Sequence, residues 1–513
     1  MNQGKLRNIS PSVWIIFSAA IVKFLIHLLT GTNYGYFSDE LYTFDLSKHL
    51  DFGYVDLPPL MPLLVAGSRA LFGESLIAVH LLPAAAGAFT LVFACLIAKE
   101  WGGRSFAVGL TALAFLAVPI WLMEDSISCY DSLDQLVLAG FLFLLTRFLG
   151  TGNKRLWVAI GLVAGIAFLT KATILFLGPG FLAGILVSKY RRHFLTAWPW
   201  LGLGIFLIVS APYVLWNFVN NWPTLAYWTY YGTERVFPYS LSEYLVNIGT
   251  TMNYVLVPLF VLGLVRIFRP FGGRRYYFFG ILFLVTWAVV FRLHARSAVL
   301  AVLFIPLIAA GSLWLEELLW GAGWRRIVKI ASAAVVVAGG VLVAPSSIPV
   351  LPEELLPLYA KNFGFVYQDL KEFKMVRGDY PYWICMRIGW EEMVKAVADA
   401  YNALPLSDRA KVGILTETYG AAGAINLLGK KYGLSPAACG QLNYHRWGPG
   451  KGSWDVMILV TNRPEWAGLF FSEVKLVSTT TNKLPVFYNR FSVLVCRSPE
   501  SPPEILWPAF ASF

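Results

Sequence analysis

Carboxylates are concentrated in one short segment between apolar runs, YFSDELYTFDLSKHLDFGYVDLPPL, residues 36–60. Asp39 and Glu40 form an adjacent pair near its start, and Asp56 lies near its end. Neighbouring residues of a helix point about 100° apart, so only one of the pair can face a given cavity. A carboxylate that faces a cavity can take a proton from an attacking hydroxyl group. For any single carboxylate here, a solvated acidic loop is the alternative interpretation.

A second group of charged residues is predicted at the same membrane face. Asp131 and Asp134, in MEDSISCYDSLDQLVL, are three residues apart and therefore share one helical face. Lys171 lies between two short apolar runs in GIAFLTKATILFLG, and Arg296 follows another in VVFRLHARSAVL. Charged groups at such positions are unfavourable in lipid and are expected to face a polar cavity, although Arg296 can also extend to the lipid headgroups.

Acids and cations from separate segments suit a phosphate-bearing substrate and an acid–base step. A carboxylate takes the proton of the attacking hydroxyl, while Lys, Arg or a metal ion holds the departing phosphate.

Apolar helices must position these residues. The chain has 513 residues, of which 57% are hydrophobic and 14% charged, whereas soluble proteins have about 25% charged residues. A membrane-spanning helix needs about 20 residues. The sequence predicts an α-helical integral membrane protein of about eleven spans, near 13–31, 76–98, 105–123, 132–149, 156–170, 172–188, 198–216, 253–268, 276–291, 298–318 and 327–344.

Basic residues orient these spans. With the N-terminus in the cytoplasm and the first apolar run kept as an uncleaved span, Lys and Arg concentrate in the inner loops, including Lys5, Arg7, Arg274 and Arg275. The loop at 32–75 then lies on the periplasmic or extracellular side of the cytoplasmic (inner) membrane. The net charge of +11 is explained by this asymmetry and does not indicate a nucleic-acid partner.

The chain changes character after the proline-rich run APSSIPVLPEELLP. KVGILTE and WDVMILV are typical of short buried strands, and GWEEMVKAVADAYNAL and AAGAINLLGKKYG of helices, the second ended by Gly433. This alternation predicts a C-terminal extracytoplasmic α/β domain over 346–513, following a transmembrane domain over 1–345. The domain is expected to be structural or to dock the acceptor.

The order of several short motifs resembles a known family. SDELY, HLDFGYVDLPPLMPLL, RALFGESLIAVHLLPAAAGA, SCYDSLDQL, GIAFLTKAT and NFVNNWPTLAYW follow one another over residues 30–230. They resemble the bacterial members of the protein O-mannosyltransferase and aminoarabinose (lipid A) transferase group, glycosyltransferases of the GT-C fold. The tail from RIGWEEMVKAVADAYNALP is similar to the outer domain of some members. The resemblance implies inverting transfer from a polyprenyl-phosphate sugar to a lipid, glycan or protein acceptor.

The resemblance also implies roles for residues of the first loop. Asp39 corresponds to the catalytic base, with Glu40 beside it, and Asp56 to a ligand of substrate or metal. Relatives of the aminoarabinose type have a phosphate-binding lysine where this chain has Leu57. Tyr54 is expected to shape the loop and to bind substrate.

Further residues are assigned to the substrate in the same way. Lys171 matches an intramembrane lysine expected to contact the lipid phosphate, and Arg296 replaces a late lysine of relatives. Asp131 and Asp134 are expected to help place the acceptor or a metal ion. A divalent metal ion at Asp56 is the one cofactor the sequence allows, since it contains no Walker loop, no GxGxxG after a strand and no Cys/His metal spacing.

Two other functions fit part of the pattern. A transporter or flippase of polyprenyl-linked sugars also carries intramembrane charges, but near the midplane; Lys23, in the middle of the first span, fits this function best. A non-catalytic envelope-assembly protein is the second alternative. The clustering of charges at one face favours the enzyme.

Overall fold

The structure is a computed structural model that describes residues 10–235, 238–269, 276–321, 323–363, 380–450, 454–480 and 490–513. Lys5, Arg7, Arg274 and Arg275, which contributed to the predicted orientation, lie outside the described residues. Helices dominate the first two thirds of the chain: α1 (Pro11–Thr30), α2 (Ser38–Leu46), α3 (Leu60–Phe72), α4 (Leu76–Glu100), α5 (Ser105–Leu116), α6 (Pro119–Glu124), α7 (Tyr130–Thr151), α8 (Leu156–Thr170), α9 (Thr173–Val187), α10 (Ala197–Val219), α11 (Pro223–Tyr230), α12 (Leu241–Met252), α13 (Val257–Phe268), α14 (Tyr277–Arg292), α15 (Phe304–Leu318) and α16 (Trp324–Ser347).

Fewer helices than predicted are long enough to cross a membrane by themselves. Among the described residues six helices are long and apolar enough, or eight if two bent helix pairs each count as one span. The remaining predicted spans coincide with the shorter apolar helices α5, α8 and α14. The helical membrane architecture is confirmed, and the count of eleven stays a prediction.

The predicted third span, 105–123, is broken in the middle. Helix α5 ends at Leu116 and α6 begins at Pro119, with Val118 extended between them. Proline cannot donate a backbone hydrogen bond, and it disfavours the helical conformation of the residue before it. In this break the carbonyl oxygen of Ala117 accepts a hydrogen bond from Asn253 Nδ2 at 2.9 Å, at the bend between α12 and α13.

The helix that leads to Lys171 is held by close packing. Helix α8 packs along α10, where a Cβ atom at Gly161 would lie 2.0 Å from the carbonyl oxygen of Gly202. Only glycine permits this approach of two backbones, a common device of membrane helices. The contact fixes the direction of α8 and thereby the position of Lys171, which directly follows its last residue.

The C-terminal part contains a five-stranded mixed sheet flanked by helices. The remaining helices are α17 (Leu356–Phe363), α18 (Tyr382–Cys385), α19 (Trp390–Asn402), α20 (Leu406–Arg409), α21 (Tyr419–Leu428), α22 (Leu442–Trp447) and α23 (Pro503–Leu506). The strands are β1 (Gly413–Thr416), β2 (Ala438–Cys439), β3 (Val456–Thr461), β4 (Phe471–Thr479) and β5 (Ser492–Pro499), in the order β2-β1-β3-β5-β4. β1 runs parallel to β2 and β3, and β5 runs antiparallel to β3 and β4. The strands and helices predicted for this part are confirmed as elements. We call residues 380–513 the C-terminal α/β segment.

One hydrophobic core joins the first loop to the C-terminal α/β segment. Leu41, Leu46 and Val55 of the loop lie in the same cluster of buried side chains as residues of α19, α21, β1 and β3. Helix α2 is therefore sandwiched between the membrane helices and the sheet-containing part. The loop cannot move independently of that part without exposing this apolar surface.

Candidate functional site

One cavity gathers side chains that lie far apart in the sequence. Four of the predicted site residues line it: Asp39, Asp56, Asp131 and Arg296. Glu40, Tyr54, Asp134 and Lys171 are not among the lining residues. The other lining residues were not assigned to the site from the sequence. They are Phe37, Tyr42, Thr43, Leu57, Met123, Glu124, Ile127, Cys129, Tyr130, Tyr227, Tyr231, Tyr382, Trp383, Tyr419, Leu442 and Phe513.

Asp39 lies in the first turn of α2 and faces this cavity. Its Oδ1 accepts hydrogen bonds from Tyr419 Oη at 2.8 Å and from Ser38 Oγ at 3.0 Å. Burial raises the pKa of Asp39, and the negative charge of Asp131 adds to this, while the two hydrogen bonds and Arg296 offset part of the rise. A carboxylate whose pKa lies above its usual range is a better proton acceptor once ionised.

Glu40 points away from the cavity and is fully buried. Its Oε2 accepts from the backbone N–H of Phe37 at 2.7 Å, and its Oε1 contacts His80 Nε2 at 2.8 Å and accepts from Ser128 N–H at 2.5 Å. Burial alone would raise the pKa of Glu40, but His80, Arg387 and the Ser128 N–H outweigh it, and the pKa is lowered. The expectation that Glu40 shares the catalytic role does not agree with this geometry, because Glu40 caps α2 and ties it to α4.

The two predicted residues at the end of the loop differ in position. Asp56 lines the cavity, and its Oδ1 accepts a hydrogen bond from Tyr42 Oη at 3.0 Å. Tyr54 is buried and its hydroxyl lies 3.2 Å from the carbonyl oxygen of His49 and 3.2 Å from the N–H of Asp51. The expected contact of Tyr54 with substrate is therefore corrected: the ring holds the loop together from inside.

Lys171 and Asp131 form an ion pair at the edge of the cavity. Lys171 Nζ lies 2.5 Å from Asp131 Oδ1 and 4.9 Å from the centre of the Tyr130 ring. The side chains keep 29% and 19% of their exposure, so the pair remains reachable from outside. Asp131 lines the cavity, and Lys171 is held next to it through this ion pair.

Asp134 and Arg296 complete the predicted set. Asp134 is buried one turn further along α7, away from the cavity, and its Oδ1 makes no hydrogen bond with any described residue. The expected role of Asp134 in placing the acceptor is not supported by this position. Arg296 lies at the end of the turn before the 3-10 helix Ser297–Leu303 and lines the cavity with Asp39.

The segment between α6 and α7 is anchored by two buried cations. Lys23 of α1 lies 2.8 Å from Asp125 Oδ2 and donates to the carbonyl oxygen of Trp121 at 2.8 Å. Arg387, from the C-terminal α/β segment, donates to the carbonyl oxygen of Ser126 at 2.7 Å. Lys23, the residue that best fitted a transporter, is thus fully buried in a structural ion pair.

Some of the unpredicted lining residues had a sequence signal and others had none. Glu124 lies in the acidic run MEDSISCYDSLDQLVL, and Tyr227 in the motif NFVNNWPTLAYW. Tyr419 and Phe513 come from the C-terminal α/β segment, and no local pattern connects them to a loop more than 300 residues earlier. Only the packing of α21 on α2 brings Tyr419 to Asp39.

Comparisons with known proteins agree with the predicted resemblance. Residues 56–216 match the family model of the dolichyl-phosphate-mannose-protein mannosyltransferases. The lipid A galacturonosyltransferase RgtD of Rhizobium johnstonii is 24% identical over 348 residues, which is 63% of this chain and 70% of that protein.

The fold is also found among solved structures. ArnT from Cupriavidus metallidurans, crystallised with undecaprenyl phosphate, matches with a TM-score of 0.59 at 16% identity, over 94% of this chain and 97% of that one. Its apo structure matches with a TM-score of 0.58 over the same shares. The resemblance to GT-C glycosyltransferases of the mannosyltransferase and aminoarabinose transferase group is confirmed, and the chain is a multi-pass membrane protein of that fold.

Proposed function

We propose, from this relationship to membrane glycosyltransferases, that the chain transfers a sugar from a polyprenyl-phosphate-linked donor to a hydroxyl group of an acceptor. The observation that carries the proposal is the cavity lined by a half-buried carboxylate, Asp39, together with Arg296 and Asp131, with Lys171 paired to Asp131 at its edge. A base and cations around one space are what displacement of a phosphate by a hydroxyl group requires.

The proposed reaction is a single displacement with one base. Asp39 takes the proton of the acceptor hydroxyl as its oxygen attacks the anomeric carbon. The bond from that carbon to the phosphate oxygen breaks, and polyprenyl phosphate leaves with the bonding electron pair. Arg296 and Lys171 stabilise the charge on the departing phosphate. Attack opposite the leaving group inverts the anomeric centre.

The membrane topology is part of the proposal. The shared core of α2 and the C-terminal α/β segment requires both to lie on one side of the membrane, so an even number of crossings separates them. Helix α2 follows the first span and the C-terminal α/β segment follows the last, so a total of eleven spans gives an even number of crossings between them, whereas six or eight give an odd number. This favours counting the shorter helices as spans. We propose the transmembrane domain at 1–345 and the α/β domain at 346–513, with that domain and the active site on the outer side of the inner membrane.

The surroundings of Asp56 bear on whether it could hold a divalent metal ion. Asp56 shares the cavity with Asp39, but the described part of the chain contains no group of three His, Cys, Asp or Glu placed to hold a metal ion. Hard cations such as Mg²⁺ prefer several oxygen ligands. Asp56 and its described neighbours therefore do not fit a metal site of this kind, and the proposed reaction uses no metal ion. We assign Asp56 to substrate hydroxyl groups instead.

The names of the relatives suggest candidates for the sugar and the acceptor. RgtD is a lipid A galacturonosyltransferase, so we propose lipid A or a related glycolipid as acceptor and a hexose or pentose derivative as donor sugar, with a glycan or protein acceptor next. The test compares envelope lipids and glycoproteins by mass spectrometry in cells that carry the wild-type chain or Asp39→Asn. A sugar that is lost only from lipids supports the lipid acceptor. The same envelope in both cells refutes the assignment of Asp39 as base, and the same envelope in cells without the chain refutes the proposed function.

A further inference from the structure

Helix α21 of the C-terminal α/β segment lies directly on α2, the helix that carries Asp39. Two glycines of α21 permit this contact. A Cβ atom at Gly423 would lie 2.6 Å from the carbonyl oxygen of Leu41, and one at Gly420 would lie 3.0 Å from Ser38 Cβ. The first distance is shorter than a Cβ contact allows, so the approach of the two helices depends on glycine at this position.

Hydrogen bonds fix both ends of the contact. Tyr419 Oη donates to Asp39 Oδ1 at 2.8 Å, and Asn426 Nδ2 donates to Asp45 Oδ2 at 2.5 Å. Residues 419 and 426 are seven apart, which is about two helical turns, so both lie on the face of α21 that meets α2. Tyr444 Oη donates to the same oxygen of Asp45 at 2.5 Å. Helix α2 is therefore held in one orientation by the C-terminal α/β segment.

We infer that Tyr419 is a positioning residue for the base, and that the C-terminal α/β segment completes the active site instead of being an appendage. The inference rests on the proposed function, in which Asp39 is that base. Among the described residues both hydrogen bonds to the carboxylate go to Oδ1, from Tyr419 and Ser38. This arrangement directs Oδ2 to the acceptor hydroxyl. A docked segment is then a condition for proton transfer.

The hydroxyl of Tyr419 also influences the protonation of Asp39. A donor to the ionised carboxylate favours that form, and Tyr419 lowers the pKa of Asp39 against the effect of burial. The charged and titratable groups around Asp39 come from three further places: Cys129, Tyr130 and Asp131 at the start of α7, Arg296 before the 3-10 helix Ser297–Leu303, and Tyr419 on α21. Of these, Tyr419 is the neutral group whose hydroxyl donates a hydrogen bond to the carboxylate of Asp39, so its removal breaks that bond and leaves every charge in place.

The experiment is the pH dependence of sugar transfer by full-length Tyr419→Phe in detergent, with a defined polyprenyl-phosphate sugar. Since the base must be ionised, transfer rises with pH through the pKa of Asp39. Loss of one hydrogen bond to a charged group should reduce transfer about tenfold on the acidic side of the profile. The acidic limb of the profile, where the transfer rate rises with pH, should move to higher pH. The loss of transfer relative to the wild type should be smaller at alkaline pH, and donor binding should stay as in the wild type.

Tyr444→Phe is the matched control, because it removes a hydroxyl from the same interface without touching Asp39. Its profile should keep the wild-type acidic limb. Gly423→Ala is a second probe: it pushes α21 away from α2 and should move the limb as Tyr419→Phe does. A uniform loss of transfer in Tyr419→Phe with an unmoved limb, or no loss, overturns the positioning role.

The two proposals fail in different ways. If Asp39→Asn transfers sugar at the wild-type rate, the proposed base is wrong whatever Tyr419 does. If Asp39→Asn is inactive while Tyr419→Phe keeps the wild-type profile, the proposed function stands and only the inference about Tyr419 fails.

Discussion

Replacing Asp39 by Asn separates catalysis from structure. The amide keeps the size of the side chain and an oxygen that can accept from Tyr419 Oη, 2.8 Å away in the wild type. It removes the negative charge and with it the basicity. A positioned general base contributes about 10²–10⁴-fold, which corresponds to about 3–5 kcal/mol of activation free energy. Asp39→Asn should therefore fold, bind donor and lose transfer by at least about two orders of magnitude.

Glu40→Gln is the matched comparison one residue along. Glu40 is buried and accepts from the N–H groups of Phe37 and Ser128 while it contacts His80. An amide NH₂ group cannot accept, so one of these donors loses its partner. An unsatisfied buried group of this kind costs about 1–3 kcal/mol, and more where a charge is involved. The variant should have lower thermal stability, and its folded fraction should transfer sugar much better than Asp39→Asn.

The assay measures transfer from a defined polyprenyl-phosphate sugar in detergent, with thermal unfolding and donor binding followed on the same preparations. The pH profile of the wild type gives a further check. Because burial raises the pKa of Asp39, the acidic limb should lie above the pH range in which an ordinary aspartate ionises. If Asp39→Asn is active while Glu40→Gln is stable and inactive, the roles of the two acids are reversed and the reasoning is refuted.

Three further experiments test the remaining assignments. Lys171→Ala should weaken binding of the polyprenyl-phosphate donor by about 1.5–3 kcal/mol, the value of a charge-assisted contact, and Lys171→Arg should retain part of this binding. If titration gives equal donor binding for the wild type and both variants, Lys171 only anchors Asp131. Ser407→Cys, at an exposed position, should react with an impermeant thiol reagent in intact spheroplasts, whereas labelling only after lysis would place the C-terminal α/β segment inside. Lys23→Met should lower the free energy of unfolding by about 3–5 kcal/mol because it leaves Asp125 buried and unpaired. The double variant Lys23→Met with Asp125→Leu should recover most of this loss of stability. A loss of activity with full stability would instead point to a role of Lys23 in transport.

The shared core of α2 and the C-terminal α/β segment changes what that segment means for the enzyme. Leu41 and Leu46 of α2 are completely buried in it. Separating the two parts would expose this surface, at about 25 cal/mol for each Å² of apolar area. The geometry of the candidate base is therefore coupled to the stability of the domain interface.

The sequence determined those features that depend on local pattern. Long apolar runs with few charges predict membrane helices, and among the described residues six of them appear, as α1, α4, α7, α10, α16 and the stretch Ser297–Leu318 that ends with α15. The strands and helices predicted in the C-terminal part were correct because the spacing of apolar residues and the content of β-branched residues are local properties of the sequence. The acidic first loop was identified by its composition, and the order of its motifs indicated the family.

Only the tertiary structure decided which of these residues share a site. Asp39 and Glu40 are adjacent and chemically alike, but the rotation of α2 turns one into the cavity and buries the other beside His80. That rotation is held on one side by His80 and on the other by α21, whose Tyr419 lies 380 positions from Asp39. Contacts of this kind arise when distant surfaces are buried together, and local periodicity carries no information about which distant surface will be the partner.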